Sequence, residues 1–145
     1  MRNIVLAAIF FFVLHGAAAA EMVSVAAELV NMRSGPGHEH EVAWELGKGY
    51  PLKVLEERGE WLKVTDYQDD VGWVQKEMVT AKPSMIVGKK IVNIRSGPGE
   101  NYRIVRQAEN GVVFFTLETK GSWVKVMHEE EDVSGWVLRS LLWGW

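Results

Sequence analysis

One stretch of this sequence occurs twice, and that repeat limits the possible folds more than any other feature. Residues 30–37 read Val-Asn-Met-Arg-Ser-Gly-Pro-Gly, and residues 92–99 repeat them at an offset of 62, with Ile in place of Met. Further along, Gly-Trp-Val at 72–74 returns at 135–137, at an offset of 63. A repeat held over this length indicates two copies of one structural unit. The 145 residues are therefore predicted to form two small domains.

The copies meet at a short segment that breaks the pattern. Around Pro83, Ala, Lys and Ser replace the apolar residues found elsewhere, which indicates a linker. The change of offset places one inserted residue between Val126 and Gly135, and insertions are tolerated in loops. The predicted division is a signal peptide at 1–20, a first domain at 21–80, a linker at 81–84 and a second domain at 85–145.

The first twenty residues have the layout of a secretory signal peptide. Arg2 gives a positive start, residues 4–13 are uninterrupted apolar, and three alanines at 18–20 offer a cleavage site. A membrane anchor is the alternative, but the apolar run is short of the roughly 20 residues a span needs. We therefore expect a periplasmic or secreted protein of the bacterial cell envelope, with no stable membrane span after cleavage.

Composition excludes several classes of function. The chain has no cysteine, which rules out disulfides, thiol nucleophiles and thiolate zinc sites. Its formal charge is −3 and its Lys and Arg residues are scattered, so nucleic acid is not an expected partner. No cofactor is predicted. A hydrophobic fraction of 48% with 24% charged residues is ordinary for a packed globular protein.

Each copy has the pattern of short strands separated by turns. Residues 52–55 and 61–64 flank Glu-Arg-Gly-Glu at 57–60, which is typical of a hairpin. A further strand is expected at 72–74, followed by a tight turn near 76–78, and no window of the mature chain has helical periodicity. The predicted fold class is all-β.

The repeated motif is interpreted first as structural. Pro36 and Gly37 suit a type II turn, in which the glycine takes a positive φ. Alternation turns Val30 and Met32 towards the core and Asn31 towards the adjoining loop, where its amide can satisfy backbone groups. The residues given this structural role are Asn31, Arg33, Gly35, Pro36, Gly37, Asn93, Arg95, Gly97, Pro98 and Gly99.

This motif, the Gly-Glu-Trp-Leu-Lys-Val hairpin strand and the closing Gly-Trp-Val together resemble the bacterial SH3-like (SH3b) domain. The resemblance covers residues 24–79 and 86–142. It implies two tandem small β-barrels of five to six short strands each, an extracytoplasmic location, and a role as a cell-wall or peptide-binding module. Relatives that hydrolyse peptidoglycan carry a separate cysteine-histidine domain, for which this chain has no cysteine.

The expected function is non-catalytic recognition of peptidoglycan or its stem peptide. The alternative is an adaptor that binds an extended peptide of another envelope protein. No enzymatic activity is predicted, because a nucleophile, a base and an orienting group must converge and the mature chain offers only serines and three histidines.

Two pairs of tryptophans occupy equivalent positions in the copies. Trp73 and Trp136 are interpreted as structural rings of the core or its rim. Trp61 and Trp123 alternate with core residues and face outwards, where the SH3-like arrangement places a groove between two loops. Aromatic rings there can stack on sugars or proline-rich peptides, so these two are predicted to form the groove floors.

Positions that differ between the copies indicate where the surfaces diverge: His40 against Tyr102, Trp44 against Arg106, and Lys53 against Phe115. Phe115 is either exposed or packed against the first domain, and packing is favoured. The predicted ligand-binding residues are His40, Trp44, Trp61, Tyr102, Phe115 and Trp123.

Two features leave alternatives open. The histidines of the segment 38–41 suggest a metal site, but three or four ligands are needed, so a solvated loop is expected and no metal is predicted. The tail at 141–145 contains two tryptophans with no counterpart in the first copy. It covers the second barrel, contacts the first, or offers a surface to a partner.

Overall fold

The computed structural model describes residues 21–145, and each copy forms one seven-stranded antiparallel sheet. The prediction of an all-β fold is confirmed. The predicted signal peptide at 1–20 lies outside the described residues. Within 21–145, no helix is long and apolar enough to cross a membrane.

The first sheet has the strand order β3-β2-β6-β5-β4-β1-β7. Its strands are β1 (Met22–Val25), β2 (Leu29–Arg33), β3 (Val42–Gly47), β4 (Pro51–Arg58), β5 (Trp61–Thr65), β6 (Val71–Gln75) and β7 (Val79–Thr80). The second sheet repeats that order as β10-β9-β13-β12-β11-β8-β14. Its strands are β8 (Ser84–Val87), β9 (Ile91–Arg95), β10 (Ile104–Glu109), β11 (Val113–Lys120), β12 (Trp123–His128), β13 (Val133–Leu138) and β14 (Leu142–Gly144).

The seven strands exceed the expected five or six because each copy ends in a very short strand. A 3-10 helix, Lys76–Met78 or Arg139–Leu141, precedes each of these strands at the place where a tight turn was expected in the first copy. β7 then pairs with β1, and β14 pairs with β8. The last strand thus returns to the first strand of its own copy.

Alternating side chains build a separate core in each copy. In β2, Val30 and Met32 are 5% and 0% exposed, whereas Asn31 and Arg33 are only half-buried. In the second copy Val92 and Ile94 repeat the pattern. Burial of the apolar face supplies the main stabilisation of a protein that has no disulfides.

The hairpin between β4 and β5 forms as its turn residues require. Gly59 has a φ of +57° and Gly121, its counterpart, a φ of +58°. Glycine takes this conformation without steric cost. The turn places Trp61 and Trp123 at the first positions of their strands.

The structure corrects the predicted positive φ at Gly37, since neither Gly37 nor Gly99 has one. The turn is instead closed by the Gly37 N–H, which donates to the carbonyl oxygen of Gly35 at 3.0 Å. The close approach that requires glycine lies at Gly35, because a Cβ there would come within 2.5 Å of the His40 ring. Gly97 has the same relation to Tyr102.

The C-terminal tail covers the second barrel. The Trp145 N–H donates to the carbonyl oxygen of Ser84 at 3.1 Å, and its own carbonyl accepts from the Thr116 hydroxyl at 2.6 Å. Trp143 also lines a cavity that Met22 of the first copy borders, so the tail reaches the first barrel as well.

Candidate ligand-binding grooves

The loop of residues 34–41 is held by an arginine of β2. Arg33 Nη1 donates to the carbonyl oxygens of His38 and His40, at 3.0 and 2.9 Å. In the second copy Arg95 Nη1 donates to the carbonyls of Glu100 and Tyr102, at 3.1 and 3.0 Å. Because both arginines satisfy the same backbone groups, the contacts support the structural role predicted for them.

The structure corrects the role expected of the paired asparagines. Asn93 Oδ1 accepts a hydrogen bond from the side-chain amide of Gln107, on the neighbouring strand β10, at 2.8 Å. The corresponding Asn31 lies opposite Glu45 in β3. The loop carbonyls are bound by the arginines, which are longer and reach across the turn, so the asparagine side chains do not serve the loop.

His40 and Tyr102 pack over the glycines of their own loops. Each ring covers the glycine that lacks a Cβ beneath it, Gly35 or Gly97. Tyr102 keeps 44% of its surface exposed, and the His40 side chain 41%. Both rings therefore shape their loops, and their use as ligand contacts stays a prediction.

A groove opens beside Trp61 in the first copy. The rings of Trp61 and His38 meet edge to face, with centroids 5.2 Å apart and planes inclined at 75°. The groove has a volume of about 220 Å³ and is lined by Leu29, Val30, Asn31, Arg33, His38, Trp61, Gln75 and Met78. It lies between β2, His38 of the loop at 34–41 and the first residue of β5, and the role of Trp61 as the floor of a ligand site stays a prediction.

The groove wall also rests on the hairpin turn. The Lys76 N–H donates to the carbonyl oxygen of Glu60 at 2.8 Å. The Lys76 ammonium also bonds to the Glu57 carboxylate, which raises the pKa of Lys76 above its ordinary value. These bonds fix the 3-10 helix that supplies Met78 to the groove.

The second copy repeats the tryptophan with different neighbours. Trp123 lies opposite Leu138 in the strand register, where Trp61 lies opposite Gln75. Glu100 occupies the position that corresponds to His38. An imidazole in the first copy is thus exchanged for a carboxylate in the second, and a groove at Trp123 stays a prediction.

Several of these groove residues do not follow from the sequence pattern. The spacing of His38 and His40 suggests only a metal site, whereas His38 contacts Trp61. Gln75 was predictable, because it lies two residues after Trp73 in the strand and therefore on the face that Trp61 occupies. Met78 carried no signal, since its place depends on a 3-10 helix too short to have a pattern of its own.

Trp73 and Trp136 are buried, at 7% and 8% exposure. Trp73 lies opposite Arg33 and Lys63 in the register, so it shares the outer face with Trp61. The Arg58 guanidinium covers it, 5.0 Å from the ring centroid. This burial leaves no ring face for a ligand and supports the structural role predicted for the pair.

Trp44 does not reach the groove. It lies on the edge strand β3 opposite Met32, with 53% of its surface exposed. Because Met32 points to the core side of β2, Trp44 is on the face away from Trp61.

The structure also corrects the prediction that Phe115 contacts a ligand. Phe115 is 8% exposed and packs against the first copy, where a Cβ on Gly49 would lie 3.1 Å from its ring. The Lys82 ammonium lies over the same ring, 3.6 Å from its centroid. Of the two alternatives for Phe115, packing against the first domain is the one that the structure contains.

No group of three or more His, Asp or Glu side chains in residues 21–145 is arranged to hold a metal ion. His38 contacts Trp61, and His40 Nε2 lies 3.5 Å from the Glu39 carboxylate. The segment 38–41 therefore contributes to the groove and its loop.

The fold and these grooves define the class of the protein: small SH3-like β-barrels in tandem, each with a tryptophan at the first position of its central strand. A sequence profile of the bacterial SH3 domain matches residues 26–80 and 88–144. The chain belongs to the bacterial SH3 domain family.

One curated relative is the putative N-acetylmuramoyl-L-alanine amidase YrvJ of Bacillus subtilis (strain 168). It is 24% identical over 124 residues, which is 78% of this chain and 24% of the amidase. The chain thus spans about a quarter of the length of that relative.

Matches among solved structures include NlpC2 from Trichomonas vaginalis, at 14% identity and a TM-score of 0.39, covering 88% of this chain and 49% of that one. An NlpC/P60 family protein from Bacillus cereus ATCC 10987 is 10% identical with a TM-score of 0.39, covering 86% of this chain and 56% of that one.

Proposed function

We propose that this protein binds peptidoglycan, through its glycan or its stem peptide, in the grooves floored by Trp61 and Trp123. It acts outside the cytoplasm as a binding protein and carries out no catalysis itself. The observation that carries the proposal is the edge-to-face pair of Trp61 and His38 in an open groove, with an equivalent tryptophan in the second copy.

The groove offers the chemistry that such a ligand requires. A half-buried indole presents an apolar face on which a sugar ring or a peptide backbone can stack. At about 220 Å³ the groove is smaller than sites for drug-sized molecules, and it suits one sugar or a short peptide segment. Asn31 and Gln75 at its sides supply donors and acceptors that can orient the ligand.

An exposed apolar residue borders the groove of Trp61. Leu29 is 56% exposed, and its counterpart Ile91 is 49% exposed, each at the first position of its strand. Because Leu29 lines the groove, it offers apolar surface that a bound ligand can cover.

The curated relative supports the nature of the ligand. Its name describes an amidase of N-acetylmuramoyl-L-alanine, a unit of peptidoglycan. The aligned region covers 24% of that protein. A shared segment of that extent fits a module that holds the wall while another part of the relative carries the chemistry.

Two grooves in one chain favour binding to a polymer. Once one groove is occupied, the second meets a high local concentration of the same polymer, so modest affinities combine. The exchange of His38 for Glu100 gives the two grooves different preferences along that polymer.

The first test is cosedimentation of residues 21–145 with purified peptidoglycan sacculi. We expect saturable binding, weakened in Trp61→Ala and in Trp123→Ala and abolished in the double variant. Loss of a central aromatic contact typically costs about 2 kcal/mol, or roughly 30-fold in affinity, for each site.

Trp44→Ala is the matched control, because it removes an exposed tryptophan that lies outside the groove. It should bind as the parent protein does, and circular dichroism should report an intact fold in every variant. Undiminished binding by a folded double variant would exclude the grooves. Absence of binding by the parent protein would favour an envelope protein peptide as the ligand.

A further inference from the structure

The two barrels differ at one end, where the loop between β5 and β6 lies in the first barrel and the loop between β12 and β13 lies in the second. In the first barrel Tyr50 spans this end, and its hydroxyl donates to Asp66 Oδ2 at 2.8 Å. In the second barrel Val112 stands in place of Tyr50 and His128 in place of Asp66. Val112 cannot span the gap that Tyr50 spans, since valine is short and has no polar group.

A cavity occupies the corresponding space in the second barrel. It has a volume of about 290 Å³, and its apolar wall is formed by Ile94, Ala108, Val112, Phe114 and Val133. Phe114 is 2% exposed, so it forms the floor, and the His128 ring meets it edge to face with centroids 6.1 Å apart. This volume lies just below the range of sites for drug-sized ligands, so it fits one side chain or a small molecule.

Charged side chains with no counterpart in the first barrel surround the mouth. Arg106 and Glu131 form an ion pair at 3.5 Å, and Glu109 lies on the same rim. Among residues 21–145, Glu109 has no ion-pair partner within 4.0 Å. The first barrel has Trp44 in place of Arg106 and Gly47 in place of Glu109.

The charges favour a cation at this mouth. Glu131 is already paired with Arg106, which leaves the Glu109 carboxylate available. Glu129 of the same loop is paired with Lys82, 3.3 Å away, and does not line this cavity. With Arg106, Glu131 and Glu109 the rim carries one net negative charge, which attracts a cation, and the apolar wall behind it accepts a hydrocarbon chain.

We propose that the second barrel holds a pocket for a primary ammonium group on a short apolar stem, which the first barrel lacks because Tyr50 and the buried Leu46 stand where the second has Val112 and Ala108. The stem occupies the space over Phe114 and the ammonium binds Glu109. A free alkylamine and a lysine-like side chain of a peptide share this chemistry. The site is separate from the tryptophan grooves, and the proposal does not depend on their ligand.

The test uses residues 21–145, which contain both sheets, and follows backbone amide resonances during titration. The probes are n-pentylammonium and the neutral pentan-1-ol. We expect saturable shifts in β10, β11 and the loop after β12 for the amine. The alcohol should bind about twofold to fivefold more weakly than the amine, because it cannot form the partly exposed charge pair.

Glu109→Gln removes the charge at an exposed position without disturbing the core. It should weaken binding of the amine by the same factor and leave the affinity for the alcohol unchanged. The triple variant Val112→Tyr, Phe114→Leu and His128→Asp gives the second barrel the three residues of the first. It should abolish binding of both probes.

A blocked Gly-Lys-Gly peptide and its norleucine analogue distinguish the two sources. Binding of the lysine peptide alongside the amine assigns the pocket to a side chain, and binding of the amine alone assigns it to a free amine. Equal affinity for amine and alcohol, no effect of Glu109→Gln, or amine shifts outside this end of the second barrel would each overturn the proposal.

Discussion

Tyr50 is the residue whose surroundings alter its chemistry most. It packs against the core of the first barrel, and its hydroxyl donates to Asp66. Burial disfavours the phenolate, and the neighbouring carboxylate both accepts the proton-bearing group and repels a second negative charge. The pKa of Tyr50 is therefore raised well above its ordinary value, first by burial and then by Asp66.

We predict that the folded protein keeps one tyrosine protonated well above the ordinary pKa of about 10. The unfolded chain ionises Tyr50 near that value, so its contribution to stability is complete below about pH 10 and declines as the pH rises beyond it. Ultraviolet titration of tyrosinate absorbance should detect the late-ionising group, and it should vanish in Tyr50→Phe.

Tyr50→Phe also tests the effect on stability. With rising pH, the free energy of unfolding of this variant should fall less than that of the parent protein. Ionisation of all three tyrosines near pH 10 in the folded parent would contradict the prediction. That result would mean that the bond to Asp66 is not maintained in solution.

Single residues were predictable from the sequence where one copy could be compared with the other. Identity of Trp73 and Trp136 indicated structural rings, and both are buried. At Phe115 the favoured packing against the first domain is present, and the buried ring is wrong only as a ligand contact. The prediction was wrong at Gly37, where the ring of His40 over Gly35, and not a positive φ, explains the glycine pattern.

At the scale of elements, the loop between β5 and β6 is built around one carboxylate. Asp66 is 4% exposed, and its Oδ1 accepts the backbone N–H groups of Gln68 and Asp70, at 3.0 and 2.9 Å. In the second barrel the segment between Val126 and Gly135 is one residue longer than the segment between Val64 and Gly72, and there His128 Nδ1 accepts from the Glu131 N–H at 3.3 Å. The insertion predicted for a loop is therefore accompanied by a change of the residue that organises it.

We predict that Asp66→Ala destabilises the first barrel by about 2–4 kcal/mol. It removes a charged acceptor of three part-buried hydrogen bonds, and the Tyr50 hydroxyl and two backbone N–H groups lose that acceptor. Chemical denaturation should report the loss, and amide exchange at Gln68 and Asp70 should accelerate while the second barrel is unaffected.

Asp69→Gly is the control for that loop. Asp69 has a φ of +63°, a conformation that glycine adopts easily, so its stability should change by less than about 1 kcal/mol. An Asp66→Ala variant as stable as Asp69→Gly would show that the carboxylate does not organise the loop.

Strands were predictable because alternation records which face is buried. β2 and β5 follow that rule, with apolar residues inside and, after the first residue of each strand, polar residues outside. β14 was not predictable, since its three residues are all half-buried and show no alternation of buried and exposed side chains. Its place is fixed by the ladder to β8, which the sequence does not record.

At the scale of the whole molecule, each contact between the barrels includes a residue that differs between the copies. Phe115 packs against Gly49, and the Tyr67 hydroxyl donates to Asn110 Oδ1 at 3.1 Å. Lys82, in the predicted linker, lies over the Phe115 ring and 3.3 Å from Glu129. The repeat indicates two domains, but their arrangement depends on these differences and was left open by the sequence.

We predict that Phe115→Lys separates the barrels while leaving each one folded. The substitution installs the residue that the first copy carries at this position, Lys53, and sets a second ammonium beside Lys82. Phe115 lies outside the main core cluster of the second barrel, so the cost falls on the contact between domains. Contacts between domains of one chain are generally weak enough for such a change to release them.

Nitrogen-15 relaxation measures the outcome directly, because docked barrels tumble together and released barrels tumble separately and faster. Leu117→Lys is the matched control, since Leu117 lies on the same strand with 49% of its surface exposed and should leave the tumbling unchanged. If the grooves bind one polymer, release should also weaken cosedimentation through loss of fixed spacing, with each groove intact. Unchanged relaxation in a folded Phe115→Lys variant would mean that other contacts, among them the tail at Trp143, hold the barrels together.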